Sequence, residues 1–174
     1  MKNLLVIIVF GLGAAVAQAS AKINHWVHSS GALVYLVEAR TIPMIDLQID
    51  WHAGSVNDPK DQLGLAGMTA GMIDKGSMFN GRLISEAEVS DRLADLGAGL
   101  SFSAGAERAS MRLRTLSDEK KKLAAIDLAS TVLKAPVFDS KILKREQERT
   151  VSAIKEADLK PETKLSKEFD RQMY

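Results

Sequence analysis

A strictly alternating segment in the first third of the chain constrains the fold most. Residues 45–51 read Ile-Asp-Leu-Gln-Ile-Asp-Trp, so apolar and polar side chains alternate without exception. Successive side chains of a β-strand point to opposite faces, and this period of two predicts a strand with one buried and one wet face. Such a strand is not stable alone, so the chain must supply further strands and an apolar layer to cover it.

Other segments supply both. Runs at 23–27 and 32–37 flank Ser29-Ser30-Gly31 and predict a hairpin, and runs at 100–104 and 108–115 predict a second antiparallel pair. The order of strands and helices predicts an α+β fold, a mostly antiparallel sheet with helices packed on one face. Helices are predicted at 64–75 ending at Gly76, at 85–97 with Ser85 and Glu88 as a capping box, from a Ser117 cap to Pro136, at 139–157, and after Pro161.

Composition sets limits on function. The 174 residues are predicted to form one mature domain, and the net charge of +1 with one short basic run, Lys120-Lys121-Lys122, argues against a nucleic-acid partner. The chain contains no cysteine, which excludes disulfides, thiolate catalysis and cysteine-based metal sites. The mature domain must therefore be held together by its hydrophobic core.

The N-terminus predicts export. Residues 4–16 are almost entirely apolar, follow one lysine, and precede small residues that are typical of cleavage after Ala19 or Ala21. The alternative is a retained membrane anchor, but the apolar run is shorter than the roughly 20 residues that a span requires. We therefore expect a signal peptide at 1–21, a mature domain at 22–174, no stable membrane span and a periplasmic location.

The segment 64–77 reads Gly-Leu-Ala-Gly-Met-Thr-Ala-Gly-Met-Ile-Asp-Lys-Gly-Ser. It resembles the zinc-site helix of the pitrilysin/insulinase family of metallopeptidases, whose members read G-L-A-H-x-x-E-H-M-x-x-x-G-[ST]. In that motif two histidines one helical turn apart bind Zn²⁺, and the glutamate acts as general base on the metal-bound water. In this chain the two histidine positions hold Gly67 and Gly71, and the glutamate position holds Ala70.

Further matches follow in order along the mature chain, so it is identified as a member of this family, corresponding to an N-terminal domain that is incomplete at its C-terminus. The third zinc ligand of the family is a glutamate in a V-x-E-I pattern, and the resemblance places Ala153 there. The other matching segments are Trp51-His52-Ala53-Gly54-Ser55 with Asp58, Leu93-Ala94-Asp95-Leu96-Gly97-Ala98, and Leu133-Lys134-Ala135-Pro136-Val137-Phe138.

The resemblance therefore implies a site without catalytic residues. Neither glycine nor alanine carries a donor atom, zinc needs three or four ligands, and Asp74 is the single acid of this helix. His25 and His28 are expected on opposite faces of one strand, and His52 is isolated. Ser101 lies in no nucleophile-elbow motif. We expect no catalytic residue, no bound metal and no cofactor, although active relatives hold zinc.

The resemblance implies an exported non-catalytic homologue that pairs with an active peptidase, binds peptide and shapes the chamber. The alternatives are a stand-alone envelope binding or scaffold protein and an active metalloendopeptidase with unusual ligands. Glycine in a helix interior costs about 1 kcal/mol relative to alanine. Gly67 and Gly71 therefore have two explanations, close packing by another chain or segment and decay of a dispensable site.

Overall fold

The computed structural model describes residues 22–173 and confirms the predicted α+β class. The chain divides into two compact units, one ending at Ile42 and one beginning at Pro43. The first contains the predicted hairpin, in which β1 (Ile23–Val27) and β2 (Leu33–Val37) pair antiparallel. The predicted signal peptide lies outside the described residues.

Between residues 43 and 173, the second unit contains the remaining strands, five α-helices and one short 3-10 helix, Ser55–Asn57. Its longest strands, β3 and β7, have eight residues each, and its shortest form a separate two-stranded hairpin. In chain order the elements are β3 (Met44–Trp51), α1 (Leu65–Met72), β4 (Gly76–Phe79), β5 (Arg82–Ser85), α2 (Glu86–Leu96), β6 (Gly99–Ala104), β7 (Ala109–Leu116), α3 (Glu119–Lys134), α4 (Ser140–Ala157) and α5 (Pro161–Met173).

The main sheet has the order β3-β7-β6, with both pairs antiparallel. The alternation that predicted β3 sets its register, because Leu47 lies opposite Leu113, which also lies opposite Leu100 on β6. One face of the sheet is therefore apolar across all three strands. The other face carries the polar side chains of the same strands, and Asp46 there lies opposite Arg114.

Helix α3 covers the apolar face. Met111 and Leu113 of β7 form a buried cluster with Ala125 and Ala129, whose small side chains let the helix approach the sheet closely. A second cluster contains Leu128 and Val132 of the same helix together with residues of β5 and α2. One helix thus contributes to both parts of the core.

The connection after β3 is fixed by backbone hydrogen bonds. The Ser55 N–H donates to Gly105 O at 3.0 Å and the Val56 N–H donates to Ala106 O at 3.0 Å, which ties the connection to the turn between β6 and β7. A Cβ atom on Gly54 would collide with the backbone of Ala106. Only glycine allows this close approach.

The hairpin of β4 and β5 was not predicted, although the sequence carries its signal. Asn80 and Gly81 connect the strands with positive φ angles of 48° and 74°. Both central residues of a type I′ turn require positive φ, and Asn-Gly is the preferred dipeptide. The same hairpin corrects the predicted end of α1, because the helix stops at Met72 and Gly76 begins β4 instead of capping the helix.

The other helix boundaries follow side-chain caps. Ser85 accepts a hydrogen bond from the Glu88 N–H at 3.2 Å, as the predicted capping box requires. The predicted Ser117 cap is wrong by one residue, because Asp118 accepts from the Lys121 N–H at 3.0 Å. A carboxylate at this position also suits the positive end of the helix dipole.

Candidate functional site

The first feature of the candidate site is the N-terminal cap of α1. Its N-cap residue, Gly64, has a φ of 94° and no side chain with which to cap the helix. The carboxylate of Asp58 does this instead, accepting hydrogen bonds from the Gly64 N–H at 2.9 Å and the Ala66 N–H at 3.0 Å. A negative charge at this end is favourable. The sequence motifs match Asp58 to the family but do not reveal this role.

The two faces of α1 differ. Gly67 and Gly71 lie one turn apart on an exposed face, whereas Ala70 and Met72 are buried. A Cβ atom built on either glycine would meet no atom within 4 Å, apart from its chain neighbours and the helix's own backbone. Within residues 43–173, therefore, no segment packs closely on this face, and the close-packing hypothesis stays open for a partner outside these residues.

Helices α1 and α4, which the resemblance assigns to the zinc site, are in contact with each other. Ala153 is exposed on α4, as are its neighbours Val151 and Ile154. No residue of α4 is buried. The helix to which the resemblance assigns the third ligand of active relatives is thus present, but none of its apolar side chains is fully buried against the domain.

Ion pairs attach α4 instead. Glu86, the first residue of α2, bonds Lys75 at 2.8 Å through one oxygen and Arg145 of α4 at 2.8 Å through the other. Hydrogen bonds from Lys75 and then Arg145 lower the pKa of Glu86, and the bond to Glu86 raises the pKa of Lys75. Arg145 also bonds Glu146 at 2.7 Å. This ion network therefore links the region after α1 to α4.

The residues at the site do not suit zinc. Gly67, Ala70, Gly71 and Ala153 have no nitrogen, oxygen or sulfur in their side chains, and zinc sites need three or four such ligands. Asp74 points to Lys75, with 3.7 Å between carboxylate and ammonium. Elsewhere in residues 22–173, no group of three or more His, Asp or Glu side chains is placed to hold a metal ion.

The histidines form no site with one another in the described part of the chain. His25 stacks on Tyr35 across the hairpin, with ring centroids 6.2 Å apart. His28 was expected on the same strand, but it follows the end of β1, and its Nδ1 lies 2.9 Å from Ser30 Oγ in the turn. His52 follows β3 in the other unit.

The polar face of the main sheet carries carboxylates with partners. Arg114 donates to Asp46 at 2.6 Å and Ser110 donates to Asp50 at 2.6 Å, each from the opposite residue of β7. These hydrogen bonds lower the pKa of both aspartates. A general acid needs a pKa raised toward the working pH, so this pattern indicates a structural role. Ser101 of β6 is exposed on the same face, opposite Arg112.

Fold and site together define a class. The chain is a metallopeptidase-like α+β domain in which a capped, open helix lies against a second helix, and the positions that the resemblance assigns to metal ligands on both lack donor atoms. No helix within residues 22–173 combines the length and the apolar character needed to cross a membrane.

The family follows from sequence comparison. The sequence profile of the insulinase family, peptidase family M16, matches residues 33–174. This match spans most of the chain, which therefore belongs to the insulinase family and is a degenerate member of it. The resemblance inferred from the sequence motifs is confirmed.

A solved structure supports the same assignment. The chain is similar to the peptidase M16 inactive domain from Pseudomonas fluorescens, with 28% sequence identity and a TM-score of 0.76. The similarity covers 85% of this chain but 35% of the other, so the chain spans about a third of the length of that relative. Comparison with curated proteins gives no match.

Proposed function

We propose that this chain is a non-catalytic subunit that pairs with an active peptidase of the same family and contributes peptide binding and chamber architecture. One observation carries the proposal. The frame of the site is intact, with Asp58 capping α1 and α4 in contact with it, while Gly67, Gly71 and Ala153 leave that frame without donors. A fold kept without its chemistry is suited to binding and assembly.

The main sheet offers a place for extended peptide. Within the described part of the second unit, β3 pairs with β7 along one edge and with no other strand along its outer edge. Leu47, Ile49 and Trp51 on its apolar face remain partly exposed. An extended peptide can add to such an edge through backbone hydrogen bonds, with side chains against the apolar face.

Peptide addition is testable without altering the protein. A fluorescent peptide of alternating apolar and polar residues should bind the chain, as measured by fluorescence anisotropy. Two further versions of the peptide carry N-methyl groups on alternate amides, one along each edge of the extended chain. The version methylated on the edge that faces β3 should lose most of its affinity, because its amides cannot donate to β3, whereas the other version should keep its affinity. If both methylated versions bind equally well, strand addition is excluded.

The subunit role is tested with a family member that carries the intact H-x-x-E-H motif. Hydrolysis of a casein-derived peptide should require both chains, or should rise strongly when this chain is added. A matched addition of the chain with Leu113→Asp, which disrupts the core, should give no stimulation. Equal hydrolysis with and without the intact chain would refute the subunit role.

Co-purification from the native envelope separates this proposal from its alternatives. Recovery of a homologue with an intact motif supports the subunit role. Recovery of folded chain without such a homologue favours a stand-alone binding or scaffold protein. If the purified chain binds one zinc ion, a peptidase with unusual ligands is favoured instead. Such a result would conflict with the lack of donor atoms at the site.

Export belongs to the same proposal and rests on the sequence. The apolar run at residues 4–16 and the small residues before Ala19 and Ala21 support cleavage by a signal peptidase and a periplasmic location. N-terminal sequencing of the native protein should begin at Ser20 or Lys22. A native chain that begins at Met1 in the cytoplasmic fraction would contradict export.

A further inference from the structure

A groove lies away from the candidate site, between α2, α3 and the β4–β5 hairpin. Its apolar lining includes Phe79, Ile84, Leu96 and Leu128, and the buried side chains of Ile84 and Leu128 close its floor. The groove has a volume of about 370 Å³. That is enough for a large apolar side chain or a small ligand.

The rim of the groove is charged. Arg92 and Asp95 of α2 and Asp127 of α3 line it. Arg92 donates to Glu88 at 2.6 Å, and hydrogen bonds from Arg82 and then Arg92 lower the pKa of Glu88 to about 2. Because these two arginines share one carboxylate, one positive charge remains beside the two aspartates of the rim. Neither Asp95 nor Asp127 forms a side-chain hydrogen bond or an ion pair with any residue between 22 and 173.

The positions of the two free carboxylates favour a cation from outside. Asp95 lies in the last turn of α2, where the negative end of the helix dipole repels a carboxylate, and that turn has no basic residue. On α3, the residues three and four positions from Asp127 are Leu123, Ala124, Ser130 and Thr131, so no lysine or arginine of the same helix face can pair with it.

We propose that this groove binds a peptide segment in which a large apolar side chain is flanked by basic residues. The apolar side chain would occupy the floor over Ile84 and Leu128, and the basic side chains would lie beside Asp95 and Asp127. An acidic segment would place like charges against the rim. The site is separate from α1 and does not depend on the subunit role.

The test uses the full chain and two labelled peptides, Gly-Lys-Phe-Lys-Gly and Gly-Glu-Phe-Glu-Gly, measured by fluorescence anisotropy. The lysine peptide should bind at least about tenfold more tightly than the glutamate peptide. The double variant Asp95→Asn/Asp127→Asn should weaken binding of the lysine peptide by about tenfold, as expected for two partly exposed charge contacts. Both substitutions are on the surface and preserve size.

The matched control is Asp91→Asn/Glu119→Gln, which removes the same charge from the same two helices outside the groove. It should change the affinity by less than about twofold. A third peptide, Gly-Lys-Ser-Lys-Gly, tests the apolar floor and should bind several-fold more weakly than the phenylalanine peptide.

Three results would overturn the proposal. Equal binding of the lysine and glutamate peptides would exclude a cation-selective rim, and this comparison needs no variant. Unchanged binding by the Asp95/Asp127 variant would place the peptide elsewhere. Equal binding of the serine and phenylalanine peptides would reduce the interaction to charge attraction without the groove.

Discussion

Helices α3 and α4 are of similar length but are held in different ways. Helix α3 buries Ala125, Leu128, Ala129 and Val132 against the sheet and α2. Helix α4 buries no residue, and its attachment includes the ion pair from Arg145 to Glu86. The hydrophobic core thus holds the frame of the domain, whereas the helix that would complete a metal site lies at its margin.

The largest expected effect on stability tests the difference between the buried α3 and the exposed α4. Leu113→Ala, at a position 1% exposed beneath α3, should lower the free energy of unfolding by about 3 kcal/mol, since a cavity is left in a close-packed core. Ile154→Ala on α4, at 55% exposure, should change it by less than about 0.5 kcal/mol. Urea denaturation followed by tryptophan fluorescence measures both. Similar losses for the two variants would show that α4 is part of the core.

The second prediction concerns the open face of α1. Gly67→Ala/Gly71→Ala should raise the free energy of unfolding by roughly 1 to 2 kcal/mol, because alanine is the better helix former and each new methyl group enters open space. Gly54→Ala is the matched contrast and should destabilise the domain, since its methyl group collides with the Ala106 backbone. A stability loss in the double variant of the isolated chain would show that this face is packed.

A smaller gain in stability is expected from a substitution inside the core. Thr115 lies on β7 at 1% exposure, and its hydroxyl has no hydrogen-bond partner among the described residues. Thr115→Val keeps the shape and removes an unpaired polar group, so the free energy of unfolding should rise by about 1 kcal/mol. Thr150→Val on the exposed surface of α4 is the control. A loss of stability at position 115 would reveal a partner for the hydroxyl.

The smallest effect belongs to the ion network that attaches α4. Glu86→Gln should lower the free energy of unfolding by less than about 1 kcal/mol, and the difference should shrink in high salt. Glu148→Gln, on α4 outside the network, should have no comparable effect. An effect of Glu86→Gln that is independent of salt would assign the attachment of α4 to packing.

Glu86 of this network and Glu88, which is paired separately with Arg82 and Arg92, predict the response to acid. The pKa of Glu86 is lower in the folded chain than its unfolded value of about 4.3, and the pKa of Glu88 falls to about 2. Their stabilisation is therefore fully present above about pH 4.3 and is lost as the pH falls toward the folded values. Unfolding midpoints measured from pH 6 to pH 3 should show a shallower decline for Glu86→Gln than for the natural chain.

The sequence predicted the main sheet well, because β3, β6 and β7 carry strong alternation and the capping box at Ser85 is local. It missed the β4–β5 hairpin, whose strands have only four residues each and carry no periodic pattern, although Asn80-Gly81 marks the turn. For the site, the sequence predicted helices over α1 and α4, and the positions without donors on them stay a prediction from the family resemblance. It did not reveal that Asp58 caps α1, since that bond depends on how the connection folds.

The fixed connection before α1 determines which positions of that helix can be exchanged without moving it. One end of the connection is held against the β6–β7 turn at Gly54, and the other end is hydrogen-bonded to the start of the helix through Asp58. Substitutions at positions 67 and 71 thus change what the helix displays without changing where it lies. The domain is therefore a scaffold in which the side chains shown to solvent at positions 67 and 71 can be exchanged while the position of α1 is kept.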